Sequence, residues 1–92
     1  MSEVLEKELT ICNQKGLHAR AAAAFVKCVS CTDAEVTVEK DGQEVDGSSI
    51  LSLMMLAASK GSVIKVKTSG SEAKTALDNL TRLVNSRFGE EE

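Results

Sequence analysis

The residue types with the clearest chemistry lie in one short stretch, Gly16-Leu17-His18-Ala19-Arg20, which contains the only histidine of the chain. Residues 13–16 predict a loop and the alanine-rich residues 21–29 favour a helix, so His18 lies at or beside a helix N-terminus. There the first N–H groups lack helical partners and the helix dipole is positive, which stabilises an anion. An imidazole nitrogen is a nucleophile, and the Arg20 guanidinium can bind phosphate oxygens in a fork. The stretch therefore indicates a histidine that accepts a phosphoryl group and passes it on.

Simpler interpretations of these residues stay open on the stretch alone. His18 could equally be a surface helix cap without a chemical role. Arg20 could be an ordinary solvated charge, because arginines are common in first helical turns and Lys15 could serve the same anion.

A second candidate is the pair Cys28-x-x-Cys31, which with Cys12 makes up the three cysteines of the chain. Such a pair could be redox-active or form half of a metal site. Redox pairs usually open a helix, whereas this pair falls towards the end of the segment that starts near Ala19. A zinc site would have to recruit Cys12 and His18 at irregular spacing. We predict reduced, partly buried thiols with no metal and no cofactor, and we keep a redox or metal-binding module as the alternative function.

Length and charge exclude several classes of protein. Ninety-two residues make one domain, residues 1–92, with a single core. A formal net charge of -3 without a run of basic residues is not the pattern of a nucleic-acid-binding protein. No apolar stretch approaches the roughly 18 residues of a membrane span, and residues 1–8 lack the features of a secretion signal. We expect a cytoplasmic monomer that binds neither nucleic acid nor a membrane.

Hydrophobic periodicity predicts the order strand, helix, two strands, helix, strand, helix. The strands are expected at residues 7–12, 34–40, 43–46 and 63–68. An apolar stripe at spacings of three and four predicts a last helix over residues 71–88, capped by Ser69-Gly70-Ser71. Glu90-Glu91-Glu92 is predicted to be a frayed acidic tail.

Residues 50–58 are too apolar for the single buried stripe of a short helix, so some of Leu51, Met54 and Met55 must be exposed. One interpretation is core packing, since methionine fills gaps between other side chains. The other is a docking surface for several partners, because the methionine side chain adapts to different shapes. Both can hold for different residues. Ser49 is predicted to be the N-cap of this helix.

These segments together resemble HPr, the histidine-containing phosphocarrier family of the phosphoenolpyruvate-dependent phosphotransferase system. Gly16-Leu17-His18-Ala19-Arg20 is similar to the family's active-site segment, and Gly47-Ser48-Ser49-Ile50-Leu51-Ser52-Leu53-Met54 is similar to its regulatory segment. Lys60-Gly61-Ser62 matches the turn before the last strand. The closing residues 85–90 and the run Leu53-Met54-Met55-Leu56 are more similar to the nitrogen-regulatory branch than to the sugar-transport branch.

The resemblance implies an α+β fold of the order βαββαβα, an open-faced sandwich in which three helices cover one face of a four-stranded antiparallel sheet. It implies that His18 accepts a phosphoryl group through Nδ1 from phosphorylated enzyme I and donates it to a histidine of an enzyme IIA protein. Arg20 would contact the phosphate. Such a protein is a relay rather than an enzyme. A regulatory binding protein that has lost transfer is an alternative, against which the presence of His18 and Arg20 argues.

The resemblance further implies a regulatory site and a partner-binding surface. Ser49 corresponds to the serine that a kinase/phosphorylase modifies in some members. The residues expected to contact partners are Leu17, Ala21, Leu51, Met54 and Met55. Many members have proline where this chain has Ala21. In a first helical turn proline removes no intrahelical hydrogen bond, so alanine gives up rigidity but not chemistry.

Overall fold

The computed structural model of the protein describes residues 4–90. Four strands form one antiparallel sheet in the spatial order β1-β4-β2-β3. The strands are β1 Leu5–Thr10, β2 Glu35–Lys40, β3 Gln43–Asp46 and β4 Val63–Ser69. The helices are α1 Ala19–Ser30, α2 Ile50–Met55 and α3 Ala73–Asn85, followed by a 3-10 turn over Arg87–Gly89. The predicted fold class and element order are confirmed.

The core lies between the helices and one face of the sheet. Strand side chains alternate between a buried face and an open one, because successive residues of a strand point to opposite sides. The buried strand residues of this face are Leu9, Val36, Val38, Ile64, Val66 and Thr68. Phe25 of α1 is fully buried among them. On the open face, the ammonium of Lys67 bonds the carboxylate of Glu44 at 2.8 Å. Within residues 4–90, no helix has the length and apolar character that crossing a membrane requires.

The predicted cap of α3 is wrong. Glu72 is the N-cap residue and makes no side-chain bond to its own helix. Its carboxylate instead accepts a bond from the Asp33 N–H at 2.6 Å, and the Ser71 hydroxyl bonds the Asp33 carboxylate at 2.7 Å. These side chains therefore join α3 to the loop before β2. The helix also ends earlier than predicted, because Arg87 and Phe88 adopt positive φ angles of 61° and 55°.

Two other elements differ from the prediction by two residues or more. The helix expected over residues 50–58 ends at Met55, and Ala57 has a positive φ of 52° that stops it. The first strand covers Leu5–Thr10 rather than residues 7–12. Ile11 nevertheless pairs with the turn before β4, since its N–H donates to the Ser62 carbonyl at 2.8 Å and its carbonyl accepts from the Gly61 N–H at 2.7 Å. Ile11 thus leaves the regular ladder but stays hydrogen-bonded to the turn that precedes β4.

Candidate functional site

His18 is the N-cap residue of α1, as predicted. Its backbone is extended, with φ -81° and ψ -176°, and its carbonyl accepts the bond from the Ala22 N–H at 2.8 Å. The first helical bond therefore comes from residue 22, and the N–H groups of residues 19–21 have no partner within α1. The His18 side chain does not cap the helix, and the first turn contains no acidic residue. The positive end of α1 is thus left available to an anion.

The loop before His18 is held in place by the connection between α2 and β4. The Leu17 N–H donates to the Ala58 carbonyl at 2.8 Å. Gly16 has a φ of +66°, and a Cβ at this position would lie 2.4 Å from the same carbonyl oxygen. Only glycine fits both the left-handed conformation and this close approach. The contact with the α2–β4 connection therefore fixes the two residues that directly precede His18.

The imidazole of His18 contacts a carboxylate that the sequence analysis did not find. Its Nε2 bonds the Oε2 of Glu90, and the other Glu90 oxygen accepts a bond from Asn13 Nδ2 at 3.0 Å. The hydrogen bond from His18, and then that from Asn13, lower the pKa of Glu90 below its ordinary value. Glu90 was predicted to belong to a frayed tail, and for this residue the prediction is wrong. Glu91 and Glu92 lie outside the described residues.

Asn13 is a second residue that the sequence analysis missed. It is fully buried, and its Nδ2 also donates to the Gly16 carbonyl at 2.8 Å. Its position in the loop before His18, three residues before Gly16, was the signal that could have found it. No local signal exists for Glu90, because 72 residues separate it from His18.

Arg20 lies in the first turn of α1 and is exposed. Within residues 4–90 its guanidinium forms no ion pair. Lys15 is also exposed, and it lines an open depression beside His18 together with Ser59. Two cationic side chains are therefore free to meet an anion at this end of the helix.

Ser49 is the N-cap of α2, which confirms the prediction. Its hydroxyl accepts a bond from the Ser52 N–H at 3.2 Å, and its backbone is extended. The preceding loop is fixed by Asp46, whose carboxylate accepts from the Ser48 N–H at 2.9 Å and from the Ser48 hydroxyl at 2.7 Å. These two bonds lower the pKa of Asp46. The start of α2 is thus already supplied with side-chain acceptors.

The surface of α2 is apolar, as predicted. Leu51 is 69% exposed and Met55 is 64% exposed, whereas Leu53 of the same helix is fully buried. We define the α2 patch as the exposed apolar residues Ile50, Leu51, Met54 and Met55. Leu53 and Leu56 pack in the core, which confirms the core-packing interpretation for these two residues. Docking through the exposed residues stays a prediction.

Two residues predicted to contact partners are buried. Leu17 is 4% exposed and Ala21 is completely buried, and both belong to the hydrophobic core. Their side chains pack beneath the loop and α1, and Leu17 also lines the depression beside His18. A contact of these two residues with a partner stays a prediction.

Cys28 lies in the last turn of α1 and Cys31 is the C-cap of this helix, as the sequence analysis predicted. Cys12 and Cys28 are partly buried, whereas Cys31 is exposed, so the prediction of a partly buried thiol is wrong for Cys31. The pKa of the Cys28 thiol is raised, mainly because the thiol is partly buried and to a smaller extent because Cys31 lies nearby. A raised pKa keeps the thiol protonated and disfavours the thiolate that redox chemistry and metal binding need. The Cys12 thiol donates to the Val84 carbonyl at 3.3 Å. Within the described part of the chain, no group of three or more His, Cys, Asp or Glu side chains is arranged to hold a metal ion.

Comparison with known proteins gives the same family as the motifs. The family model described as the PTS HPr component phosphorylation site matches residues 5–86. The phosphocarrier protein HPr of Neisseria meningitidis serogroup A is 45% identical over 97% of this chain and 100% of its own length. The phosphocarrier protein NPr of Shewanella violacea is 40% identical over 94% of each chain. Relatives with both names therefore match at similar identity.

A solved structure extends this agreement to the fold. The crystal structure of HPr-C-His from Thermoanaerobacter tengcongensis matches with a TM-score of 0.91 and 40% identity, over 96% of this chain and 99% of that one. Sequence and structure thus agree over nearly the whole length, and the chain belongs to the HPr family of phosphocarrier proteins.

Proposed function

We propose that the protein carries a phosphoryl group on Nδ1 of His18, between phosphorylated enzyme I and an enzyme IIA protein. The observation that supports this most directly is the position of His18 at the start of α1, where the first N–H groups have no helical partner. The His18 side chain is 27% exposed. A donor or acceptor protein can therefore reach the imidazole, as a relay requires.

The transfer needs little from the protein besides position and charge. The Nδ1 lone pair forms a bond to phosphorus while the bond between phosphorus and the donor breaks, and the electron pair of that bond stays on the donor. The bound group carries about -1.5 to -2 charges near neutral pH. Backbone N–H groups at the start of α1 and the exposed Arg20 stabilise this charge. In the second step a histidine of enzyme IIA attacks the same phosphorus, and the lone pair returns to Nδ1.

Partners dock, on this proposal, through the α2 patch, with Leu51, Met54 and Met55 as the main contacts. These side chains are exposed, and α2 packs against α1, the helix that His18 opens. Methionine adapts to different surfaces, which suits a protein that must meet both a donor and an acceptor. The contact should be small and short-lived, since a tight complex would stop the relay.

A relay also needs a freely diffusing carrier, so we further propose a cytoplasmic monomer.

Ser49 is proposed as a regulatory site for a serine kinase/phosphorylase. It precedes Leu51 and Met54 of the docking surface. A phosphate there would add charge beside apolar side chains that a partner must desolvate. Modification would therefore weaken docking while leaving the core untouched.

Incubation with enzyme I and phosphoenolpyruvate, followed by intact mass measurement, tests the proposal. One phosphoryl group should be added, and it should be labile in acid and stable in base. His18→Ala should abolish the addition, and Cys28→Ala should not affect it. A mass increase that persists in His18→Ala would contradict the proposal. A Cys28→Ala variant that fails to accept the group would instead favour a role for the thiol pair.

A further inference from the structure

We infer that Glu90 is a positioning residue, which holds the His18 imidazole with its proton on Nε2 and so leaves the Nδ1 lone pair free to accept phosphorus. The inference rests on the proposed function for its consequence in transfer. Its structural part, the assignment of the ring proton, stands independently of that function.

The proton assignment follows from what Glu90 can accept. A neutral imidazole carries one N–H and one lone pair, and the partner of one nitrogen decides which is which. An ionised carboxylate only accepts hydrogen bonds. Since Glu90 contacts Nε2, that nitrogen must donate, and the lone pair must lie on Nδ1.

The Glu90 carboxylate is itself held in place by a buried amide. Asn13 is fully buried, and its Nδ2 donates both to Glu90 at 3.0 Å and to the Gly16 carbonyl at 2.8 Å. Both partners are acceptors, so rotating the amide by half a turn would place its carbonyl oxygen against two other oxygens. The orientation of Asn13 is therefore unique. One buried side chain thus joins the loop that carries His18 to the carboxylate that orients it.

The segment after α3 places Glu90 beside His18. The left-handed residues Arg87 and Phe88 end α3 and reverse the chain, and the Phe88 side chain, 8% exposed, packs into the core. The Glu90 N–H then donates to the Arg87 carbonyl at 2.9 Å. Glu90 therefore follows an anchored segment.

The contact also fits the charge changes of transfer. When Nδ1 bonds to phosphorus, the ring gains positive charge and the proton on Nε2 does not have to leave. A carboxylate on Nε2 stabilises that cationic ring, as in other carboxylate–histidine pairs. Glu90 is ionised near neutral pH, because its pKa is lowered by His18 and Asn13. Its negative charge lies on the side of Nε2, away from the nitrogen that meets the phosphoryl group.

Nitrogen-15 NMR of the imidazole tests the assignment, and the single histidine of the chain gives one set of signals. The neutral ring should show its proton on Nε2. Glu90→Ala should shift the population towards a mixture of the two forms. Glu90→Gln should give an intermediate result, since one of the two carboxylate oxygens becomes an NH2 group, which cannot accept from Nε2 or from Asn13. Glu8→Ala is the matched control, because Glu8 is exposed on the open face of the sheet.

The consequence for transfer is measured on the same variants. Glu90→Ala should accept the phosphoryl group from enzyme I about three- to tenfold more slowly than the Glu8→Ala control, the size expected for one hydrogen bond. Equal tautomer populations in Glu90→Ala and Glu8→Ala would overturn the inference. A shifted population with an unchanged rate would also overturn it, since orientation would then not control reactivity. If the unmodified protein accepts no phosphate, the proposed function fails, while the NMR result still decides the role of Glu90.

Discussion

The starts of α1 and α2 differ in what their N-cap side chains do. Ser49 turns its hydroxyl onto its own helix and accepts the Ser52 N–H at 3.2 Å. His18 turns away from its helix, and its Nε2 bonds Glu90 instead. Neither first turn contains an acidic residue. A helix end that is already capped gains stability, whereas one whose cap turns away keeps its N–H groups for a ligand.

The side chains around the two helix starts also differ: they are cationic at α1 and apolar at α2. Exposed Lys15 and Arg20 flank His18, whereas exposed Leu51 and Met54 follow Ser49. Cationic groups beside free N–H groups suit an anion, and apolar groups beside a filled cap suit another protein surface. The molecule thus separates the proposed site of chemistry from the proposed site of docking.

The largest losses of stability should come from substituting the glycines that precede α1 and α2. Gly16→Ala should lower the free energy of unfolding by about 2–4 kcal/mol, because it combines a positive φ with a Cβ 2.4 Å from a backbone oxygen. Gly47→Ala should lower it by about 1–3 kcal/mol, since its φ is not positive but the new Cβ would lie 2.7 Å from Cγ1 of the buried, stiff Val36 side chain. Gly42→Ala, with a positive φ but open space, isolates the strain alone at about 1 kcal/mol.

Urea unfolding of the three variants measures this series. If Gly16→Ala were no less stable than Gly42→Ala, the close packing of the His18 loop on the α2–β4 connection would be disproved. Gly16→Ala should also slow phosphoryl acceptance, because the same contact positions His18.

Arg20→Ala should slow acceptance by about tenfold, because one charge-assisted contact to the phosphoryl oxygens is lost. Its thermal midpoint should match that of the unmodified protein, since Arg20 is exposed. Arg82→Ala, which removes an exposed arginine on α3, is the control. Transfer rates measured with phosphorylated enzyme I decide the matter. Equal rates for Arg20→Ala and Arg82→Ala would mean that the N–H groups and Lys15 suffice.

Substitutions at Ser49 separate capping from docking. Ser49→Ala should lose about 1 kcal/mol of stability with nearly normal transfer, because only the bond to Ser52 is removed. Ser49→Asp should keep the cap and the melting temperature, while its charge beside the α2 patch weakens acceptance from enzyme I. Melting curves and transfer rates together check both effects. Transfer to Ser49→Asp at the unmodified rate would remove this segment from the docking surface.

The sequence predicted features whose causes are local. Glycine and the alanine run place the start of α1 at His18, and the apolar excess of α2 requires exposed side chains such as Leu51. Alternation in the strands gives the buried face, because the period of a strand is two residues. These features depend on residues that are close together in the chain, so the sequence pattern predicts them.

The features that the sequence did not predict depend on distant partners. Asp33 binds Ser71 and Glu72 from another loop, which displaces the expected cap of α3. Glu90 reaches His18 only because Arg87 and Phe88, neither of them glycine, adopt left-handed conformations. The burial of Leu17 likewise follows from packing against a connection about 40 residues further along the chain, which hydrophobic periodicity does not encode.

The smallest effect should be the contribution of Asp46 to the loop before Ser49. The bonds from the Ser48 N–H and hydroxyl lower the pKa of Asp46 in the folded protein. A carboxyl with a lowered folded pKa stabilises the fold above its ordinary pKa, and this stability disappears as the pH falls through the lowered value. Asp46→Ala should therefore melt slightly below the unmodified protein at neutral pH, and the difference should vanish in strong acid. Because Asp46 is exposed, the decrease in melting temperature caused by Asp46→Ala should be smaller than that caused by Ser49→Ala. Thermal melts at both pH values measure it, and a difference that grows on acidification would show that Asp46 is not ionised in these bonds.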